Sequence, residues 1–108
     1  MKTFRIVILV PIAFCLSVAY AVAGSANDMQ TGEELFMKHC SACHPDGGNV
    51  LEPHKTLRKK DRMTNNIKSA KDIVGKMRNP GPGMTKFDKN VISDKGAEEI
   101  AAYILKTF

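Results

Sequence analysis

The chain has 108 residues and carries 16 Lys and Arg against 11 Asp and Glu, a net charge of +5. A chain of this length forms one domain at most and buries only a modest apolar core, so such folds often need a bound ligand for stability. No aromatic residue interleaves the densest basic run, at 55–62, which argues against nucleic-acid binding.

The first 23 residues have the pattern of a secretory signal peptide. Lys2 and Arg5 supply positive charge, an uncharged apolar run follows, and small residues typical of a cleavage site end at Ala23. The run is also about long enough to span a bilayer, since spanning needs roughly 20 apolar residues, so an uncleaved membrane anchor is the alternative.

Cys15 lies inside this apolar run. A lipoprotein signal would place a small residue before the cysteine, whereas Phe14 precedes Cys15. We therefore expect Cys15 to leave with the signal, with a lipid anchor on Cys15 as the alternative. We therefore predict a signal peptide at 1–23 and an exported mature domain at 24–108. This domain has a net charge of +3 once Lys2 and Arg5 are removed, and it contains no further apolar run.

A first helix is predicted before the segment 45–48. Thr31 has the position of an N-cap, with Glu34 three residues later completing a capping box. Apolar residues follow at helical spacing, and Pro45 with the glycines at 47 and 48 ends the run.

The middle of the chain has a second clear helical pattern. The basic segment 55–62 could form a short helix, and Ser69 has the position of an N-cap, with Asp72 three residues later. The prolines and glycines of 79–87 exclude a helix or a central strand, so this segment is predicted to be a loop.

The last helix is predicted to begin after Ser93. Its apolar stripe has helical spacing and consists of Ala97, Ile100, Ala101, Ile104 and Phe108. Acidic residues lie in its first turns and Lys106 in its last, as the helix dipole prefers. No strand pattern competes, so the fold class is predicted to be all-α.

The run Cys40-Ser41-Ala42-Cys43-His44 is a C-x-x-C-H motif, typical of c-type haem attachment. Two cysteines three residues apart on a helical turn project to the same side. Both sulfurs can therefore form thioethers with the two vinyl groups of one haem, and His44 then reaches the iron from that same face.

Two other uses of these cysteines fit less well. A zinc site needs about four ligands, and only His39 and His54 could add to the motif. A thioredoxin-like dithiol would expect a βαβ context, which this chain lacks. We therefore predict one covalent haem c, which also agrees with export, since haem is attached outside the cytoplasm in bacteria.

With these motifs the mature chain resembles the small class I c-type cytochromes, and most closely the short single-haem electron carriers of algae and bacteria. "TGEELFMKHCSACH" (31–44), "GGNVLEPHKTL" (47–57) and "ISDKGAEEIAAYILK" (92–106) are similar to the family's first helix, the segment after its haem motif and its closing helix. The resemblance implies N- and C-terminal helices that cross, with two or three further short helices around one haem. A small Gly32 would allow the close crossing.

The resemblance also implies a second axial ligand from the Pro/Gly loop. Met84 lies there, where the family carries its methionine ligand, although Thr85 follows it instead of the usual proline. His54 is the alternative ligand, and a His/His pair would lower the reduction potential relative to His/Met. His39 is expected to point away from the haem and to be solvent-exposed.

Other residues are candidates for the haem pocket. Asn49, Val50 and Leu57 could contact the haem, and Lys55 or Arg58 could pair with a propionate. The backbone carbonyl of Pro45 could support the His44 ring. The remaining candidates for the apolar lining are Ile73, Val74, Met77, Phe87 and Ile92.

The predicted function is electron transfer in the periplasm by a monomer that is not an enzyme. A basic cluster could steer it to acidic redox partners, or could be only a solvated face. The cluster consists of Lys55, Arg58, Lys59, Lys60 and Arg62. The alternative function is a small haem enzyme or a gas or redox sensor, which would require a displaceable sixth ligand.

Overall fold

A computed structural model describes the backbone of residues 25–108 and the side chains of 31–108. The predicted signal peptide at 1–23 and its cleavage site lie outside the described residues. Four α-helices and one short 3-10 turn form the described part, in which there is no strand, so the all-α prediction is confirmed. They are α1 (Ser25–His39), the 3-10 turn (Pro45–Gly47), α2 (Lys59–Thr64), α3 (Ala70–Arg78) and α4 (Asp94–Thr107).

The start of α1 differs from the prediction. Residues from Ser25 onward are already helical, so Thr31 lies inside α1 and is not its N-cap. Residues 25–31 contain neither proline nor glycine, and the helix therefore continues through the capping-box pattern. At its other end α1 closes through hydrogen bonds from the amides of Cys40 and Ser41 to the Phe36 carbonyl.

The predicted caps of the two later helices are confirmed. The Ser69 hydroxyl accepts a hydrogen bond from the Asp72 amide, and the Asp72 carboxylate accepts one from the Ser69 amide. Ser93 accepts a hydrogen bond from the Gly96 amide at the start of α4. The short basic helix α2 also forms, but it begins at Lys59 and extends to Thr64.

The core lies where α4 packs against both α1 and α3. Four of the five residues of the predicted apolar stripe are buried, and Phe108, which follows α4, is half-buried. Phe36 and Ile100 are the largest fully buried side chains. Burial of one such side chain stabilises the fold by roughly 1.5–3 kcal/mol. The core residues are Phe36, Ile73, Met77, Ile92, Ala97, Ile100, Ala101 and Ile104.

The crossing of α1 and α4 depends on Gly32. A Cβ atom at this position would overlap the backbone carbonyl oxygen of Glu99 and lie 3.2 Å from the Tyr103 Cβ. The predicted role of Gly32 in a close crossing is therefore confirmed. Beside the crossing, the ring centroid of Phe36 lies 5.3 Å from that of Tyr103 and 5.5 Å from that of Phe108.

Within residues 25–108, no helix combines the length and the apolar character needed to cross a membrane.

Candidate functional site

A cavity of about 290 Å³ lies between the turn after α1, the segment 49–57, helices α2 and α3, and the loop 81–87. All six residues predicted to bind the cofactor line this cavity. They are Cys40, Cys43, His44, Asn49, Leu57 and Met84. The fold thus brings together side chains that are up to 44 residues apart in the chain.

The two cysteines lie on one tight turn at the cavity wall. The amides of Cys43 and His44 both donate to the Cys40 carbonyl, at 3.2 and 2.9 Å. Both thiols are free; that of Cys40 is half-buried and that of Cys43 is exposed. Burial raises the pKa of the Cys40 thiol to about 11, and the neighbouring Cys43 adds to this shift, so the two sulfurs interact electrostatically.

The His44 ring is oriented by a backbone carbonyl. Its Nδ1 atom lies 2.7 Å from the carbonyl oxygen of Gly48. Because a carbonyl oxygen only accepts hydrogen bonds, Nδ1 carries a proton here, and in the neutral imidazole Nε2 then has the lone pair that a metal needs.

The residue that supports His44 differs from the prediction. The Pro45 carbonyl was expected to play this part, but it accepts a hydrogen bond from the Gly48 amide at 2.9 Å. Asp46 and Gly47 both have positive φ, at 52° and 75°, and this reverses the chain so that Gly48 returns to the ring. The pattern Pro-Asp-Gly-Gly indicated a turn but did not indicate which carbonyl would face His44.

The two candidates for a second axial ligand have different positions. Met84 lies on the cavity wall and is 36% exposed, in a turn where Gly83 has a φ of 88°. His54 is exposed and is not on the wall; its backbone carbonyl accepts a hydrogen bond from the Asn65 side chain. Among the other methionines of the described region, Met77 is 3% exposed within the core and also reaches the wall.

The position of His39 was predicted incorrectly. It was expected to be solvent-exposed and to point away from the haem, but it is half-buried, and it lies on the cavity wall. Its ring meets the Phe87 ring edge-on at 6.0 Å. The helix ends at His39, so helical spacing relative to Cys40 and Cys43 does not describe where this side chain lies.

The burial of Arg62 differs from its predicted place on the surface. It was assigned to an exposed basic cluster, yet it is 4% exposed, lies on the cavity wall and donates from Nε to the Leu57 carbonyl at 2.7 Å. No carboxylate within residues 31–108 pairs with it at ion-pair distance. A buried cation of this kind needs a counter-charge, and the cavity is where one could be bound.

Other predicted pocket residues are divided between the wall and the surrounding structure. Lys55 lies on the wall and pairs with Glu52 at 3.5 Å. Arg58 lies away from the wall, and its guanidinium approaches the Asp46 carbonyl oxygen at 3.5 Å. Val50 is exposed and away from the wall. Among the predicted apolar lining, Ile73, Met77 and Phe87 are on the wall, and Val74 and Ile92 pack in or against the core.

Asn49 shapes the segment that follows the motif. Its Oδ1 accepts hydrogen bonds from the amides of Leu51 and Glu52, and its Nδ2 donates to the Lys55 carbonyl at 3.0 Å.

Across 31–108, no group of three or more His, Cys, Asp or Glu side chains has an arrangement that could hold a metal ion.

The donor set suits a c-type haem. The cavity is largely apolar, and its wall carries two thiols on one turn, an imidazole, a methionine thioether and a buried guanidinium that has no carboxylate partner in the described region.

Comparison with known proteins agrees with this chemistry. The family described as subunit III of cbb3-type cytochrome c oxidase matches residues 27–104.

Individual proteins extend the similarity over nearly the whole chain. Cytochrome c6 of Cyanidium caldarium is 37% identical over 102 residues, which cover 94% of this chain and 91% of that protein. The structure of OmcF, outer membrane cytochrome F of Geobacter sulfurreducens, has a TM-score of 0.69 and 43% identity, covering 71% of this chain and 98% of that one.

A third relative is cytochrome c6 of the diatom Phaeodactylum tricornutum. Its structure has a TM-score of 0.66 and 32% identity, covering 73% of this chain and 92% of that one. The chain therefore belongs to the cytochrome c family, as a small class I member that carries one covalently bound haem c and transfers electrons.

Proposed function

We propose that this protein is a periplasmic, monomeric electron carrier in which His44 and Met84 are the two axial ligands of the haem iron. The observation that carries the ligand proposal is that His44, with Nε2 free, and Met84 line one cavity, whereas His54 does not. The haem, when bound, supplies an iron that accepts and releases one electron. A soft methionine sulfur favours the ferrous state relative to a second histidine.

Cys40 and Cys43 would hold the porphyrin through thioethers. Their position on the turn stabilised by the Cys40 carbonyl supports this, because the same turn carries His44 at the wall. The covalent links would therefore fix the distance between the porphyrin and the His44 ring. The hydrogen bond from His44 to Gly48 would then fix the ring's rotation and raise its basicity as a ligand.

Arg62 would provide the counter-charge for a haem propionate. Its burial and its lack of a carboxylate partner in the described region support this role over that of a surface charge. Lys55 is a second cation on the wall, already engaged with Glu52. Leu57 and the loop organised by Asn49 would exclude water from the same side of the cavity.

Two filled axial positions would leave no open site for substrate chemistry, which is the basis for proposing that the protein is not an enzyme. Electron transfer needs only an exposed edge of the cofactor. Cys43, Leu51 and Met84 are exposed and line the cavity, so this side is the proposed exit for electrons.

Redox partners would meet a basic surface next to the cavity. This surface consists of four exposed residues, Lys55, Arg58, Lys59 and Lys60. Arg62 is not part of it because its side chain is buried. Long-range attraction would steer an acidic partner towards this surface and would weaken as salt concentration rises.

The proposed location depends on the signal-peptide pattern at 1–23, with a mature domain at 24–108. N-terminal sequencing of the exported protein tests both. A first residue at position 24 supports cleavage, and retention of 1–23 would support the membrane-anchor alternative.

The visible spectrum of the oxidised protein tests the ligand proposal. A weak band near the red end, characteristic of sulfur bound to iron, should disappear in Met84→Ala and persist in His54→Ala. The opposite result would reject Met84 as the ligand. Readily observed binding of carbon monoxide to the reduced protein at neutral pH would instead favour an enzyme or sensor with a displaceable ligand.

A further inference from the structure

Arg78, the last residue of α3, reaches across to the loop that precedes α4. Its Nη1 donates to the carbonyl oxygens of Phe87 and Ile92, at 3.1 and 2.8 Å. Its Nη2 donates to the Asp94 carboxylate at 2.9 Å. One guanidinium, with its side chain 20% exposed, thus bonds to three points between 87 and 94.

The segment that contains Met84 has few bonds of its own. No hydrogen bond joins residues 80–86 to any residue of the described region outside this segment. The next residue, Phe87, donates its amide to the Met77 carbonyl at 2.9 Å and gives its carbonyl to Arg78. The segment is therefore attached to α3 at the two backbone groups of Phe87, three residues after Met84.

The chemistry of Arg78 suits this attachment. A guanidinium is planar, permanently charged and able to donate in several fixed directions, which a lysine cannot reproduce. Hydrogen bonds from a charged donor are roughly twice as strong as those between neutral groups. Asp94 holds the other edge of the guanidinium and is itself bonded to Lys89 at 2.9 Å.

We propose that Arg78 is a positioning residue that holds the 80–86 segment against the cavity and so keeps the Met84 sulfur at the iron. The inference rests on the proposed ligation by Met84. Without the Arg78 bonds to Phe87 and Ile92, the segment would spend more time away from the cavity, and the sixth coordination position would be open for a larger fraction of the time.

Competition with an external ligand measures that fraction. Imidazole binds the ferric protein only when Met84 is displaced, so its apparent dissociation constant falls as the displaced fraction rises. We expect Arg78→Gln and Arg78→Lys to bind imidazole about tenfold more tightly than the natural protein, followed by loss of the sulfur band. Asp94→Asn, which leaves both carbonyl bonds in place, should show a smaller change in the same direction.

Three controls separate this role from general destabilisation. Lys86→Gln removes an exposed charge from the same segment and should leave imidazole affinity unchanged. The helical circular dichroism of Arg78→Lys should persist at imidazole concentrations that abolish its sulfur band. In a Met84→Ala background, Arg78→Lys should no longer alter imidazole affinity, because its effect operates through Met84.

The outcomes distinguish the two proposals. If Met84→Ala retains the sulfur band, the ligand proposal fails whatever Arg78 does. If Met84→Ala loses the band and Arg78→Lys and Asp94→Asn bind imidazole like the natural protein, the positioning role is rejected and the ligand proposal stands. An Arg78→Lys effect that persists undiminished in the Met84→Ala background also rejects it. Should Arg78→Gln fail to fold, the Lys and Asn variants still decide the question.

Discussion

The Nδ1 atom of His44 lies 2.7 Å from the carbonyl oxygen of Gly48, four residues later in the chain. This contact depends on the reversal at Gly47, which has a φ of 75° and lies against the ring of Phe108. The orientation of the proposed axial histidine is therefore linked to packing at the end of α4.

Gly47→Ala should destabilise the fold by about 1–3 kcal/mol. A Cβ atom here would meet both an unfavourable positive φ and overlap with Phe108. Thermal unfolding measures the loss, and Gly81→Ala, which has open space around its Cβ position, should change stability far less. An equal effect of the two substitutions would contradict the proposed reason.

Two further glycines should respond to alanine with opposite signs. Gly32→Ala should lower the free energy of unfolding by about 1–3 kcal/mol, because its Cβ would overlap the rigid Glu99 backbone and push α1 from α4. Gly75→Ala, inside α3 with no atom near its Cβ position, should raise that free energy by about 0.5–1 kcal/mol. Denaturant unfolding of both variants checks the signs. A stabilised Gly32→Ala would mean that the helices do not cross at the described distance.

The capping box of α3 predicts a dependence on acid pH. Hydrogen bonds from the Lys68 amide, and then from the Ser69 hydroxyl and amide, hold the pKa of Asp72 below its ordinary value of 3.8. A lowered folded-state pKa means that the contribution of Asp72 is fully present above the ordinary pKa. It is lost as pH falls through the lowered value.

At pH 7, Asp72→Asn should therefore melt at a lower temperature than the natural protein. This gap in melting temperature should narrow below about pH 4. Thermal unfolding followed by circular dichroism at both pH values measures this. Glu98→Gln, which removes an exposed carboxylate without a hydrogen-bond partner in the described region, serves as the control. A gap that is the same at both pH values would show that Asp72 does not act through its charged form.

Arg62 should influence the reduction potential. We expect Arg62→Met to lower it by tens of millivolts, because loss of a buried positive charge favours the ferric state. An interaction on the order of 1 kcal/mol corresponds to about 40 mV for one electron. Spectroelectrochemical titration measures the shift, with Lys60→Met, an exposed position on the same helix, as the control. Equal shifts in the two variants would argue against a counter-charge role for Arg62.

Local patterns predicted much of this fold. At Ser69 and Ser93 the capping side chain bonds to a backbone amide only three residues later in the chain. The stripe of α4 follows from the periodicity of a single helix. The haem motif is likewise contiguous, and the resemblance to a known family supplied the crossing of the terminal helices and the position of Met84. The caps, the stripe and the haem motif are each visible in a short stretch of chain, whereas the crossing and the position of Met84 came from the resemblance.

The incorrect predictions concern features that only tertiary structure determines. Gly48, not Pro45, supports His44 because two successive residues with positive φ reverse the chain. His39 is half-buried because Phe87, 48 residues later, packs against it. Arg62 appeared to belong to a charged surface because its neighbours in the chain do, and its burial depends on how α2 lies against the cavity. Thr31 lies inside α1, which shows that an S/T-x-x-E pattern alone does not mark the start of a helix.

The half-buried Cys40 has a consequence for the order of biosynthetic events. Its thiol packs against the core that α4 completes, and burial raises its pKa, so the closed fold presents a poor nucleophile. The contact between α1 and α4 joins distant parts of the chain, and contacts of this kind form slowly. An exported chain would therefore be most reactive towards a vinyl group before its last helix docks. For the proposed attachment at Cys40, cofactor loading would therefore precede the docking of α4.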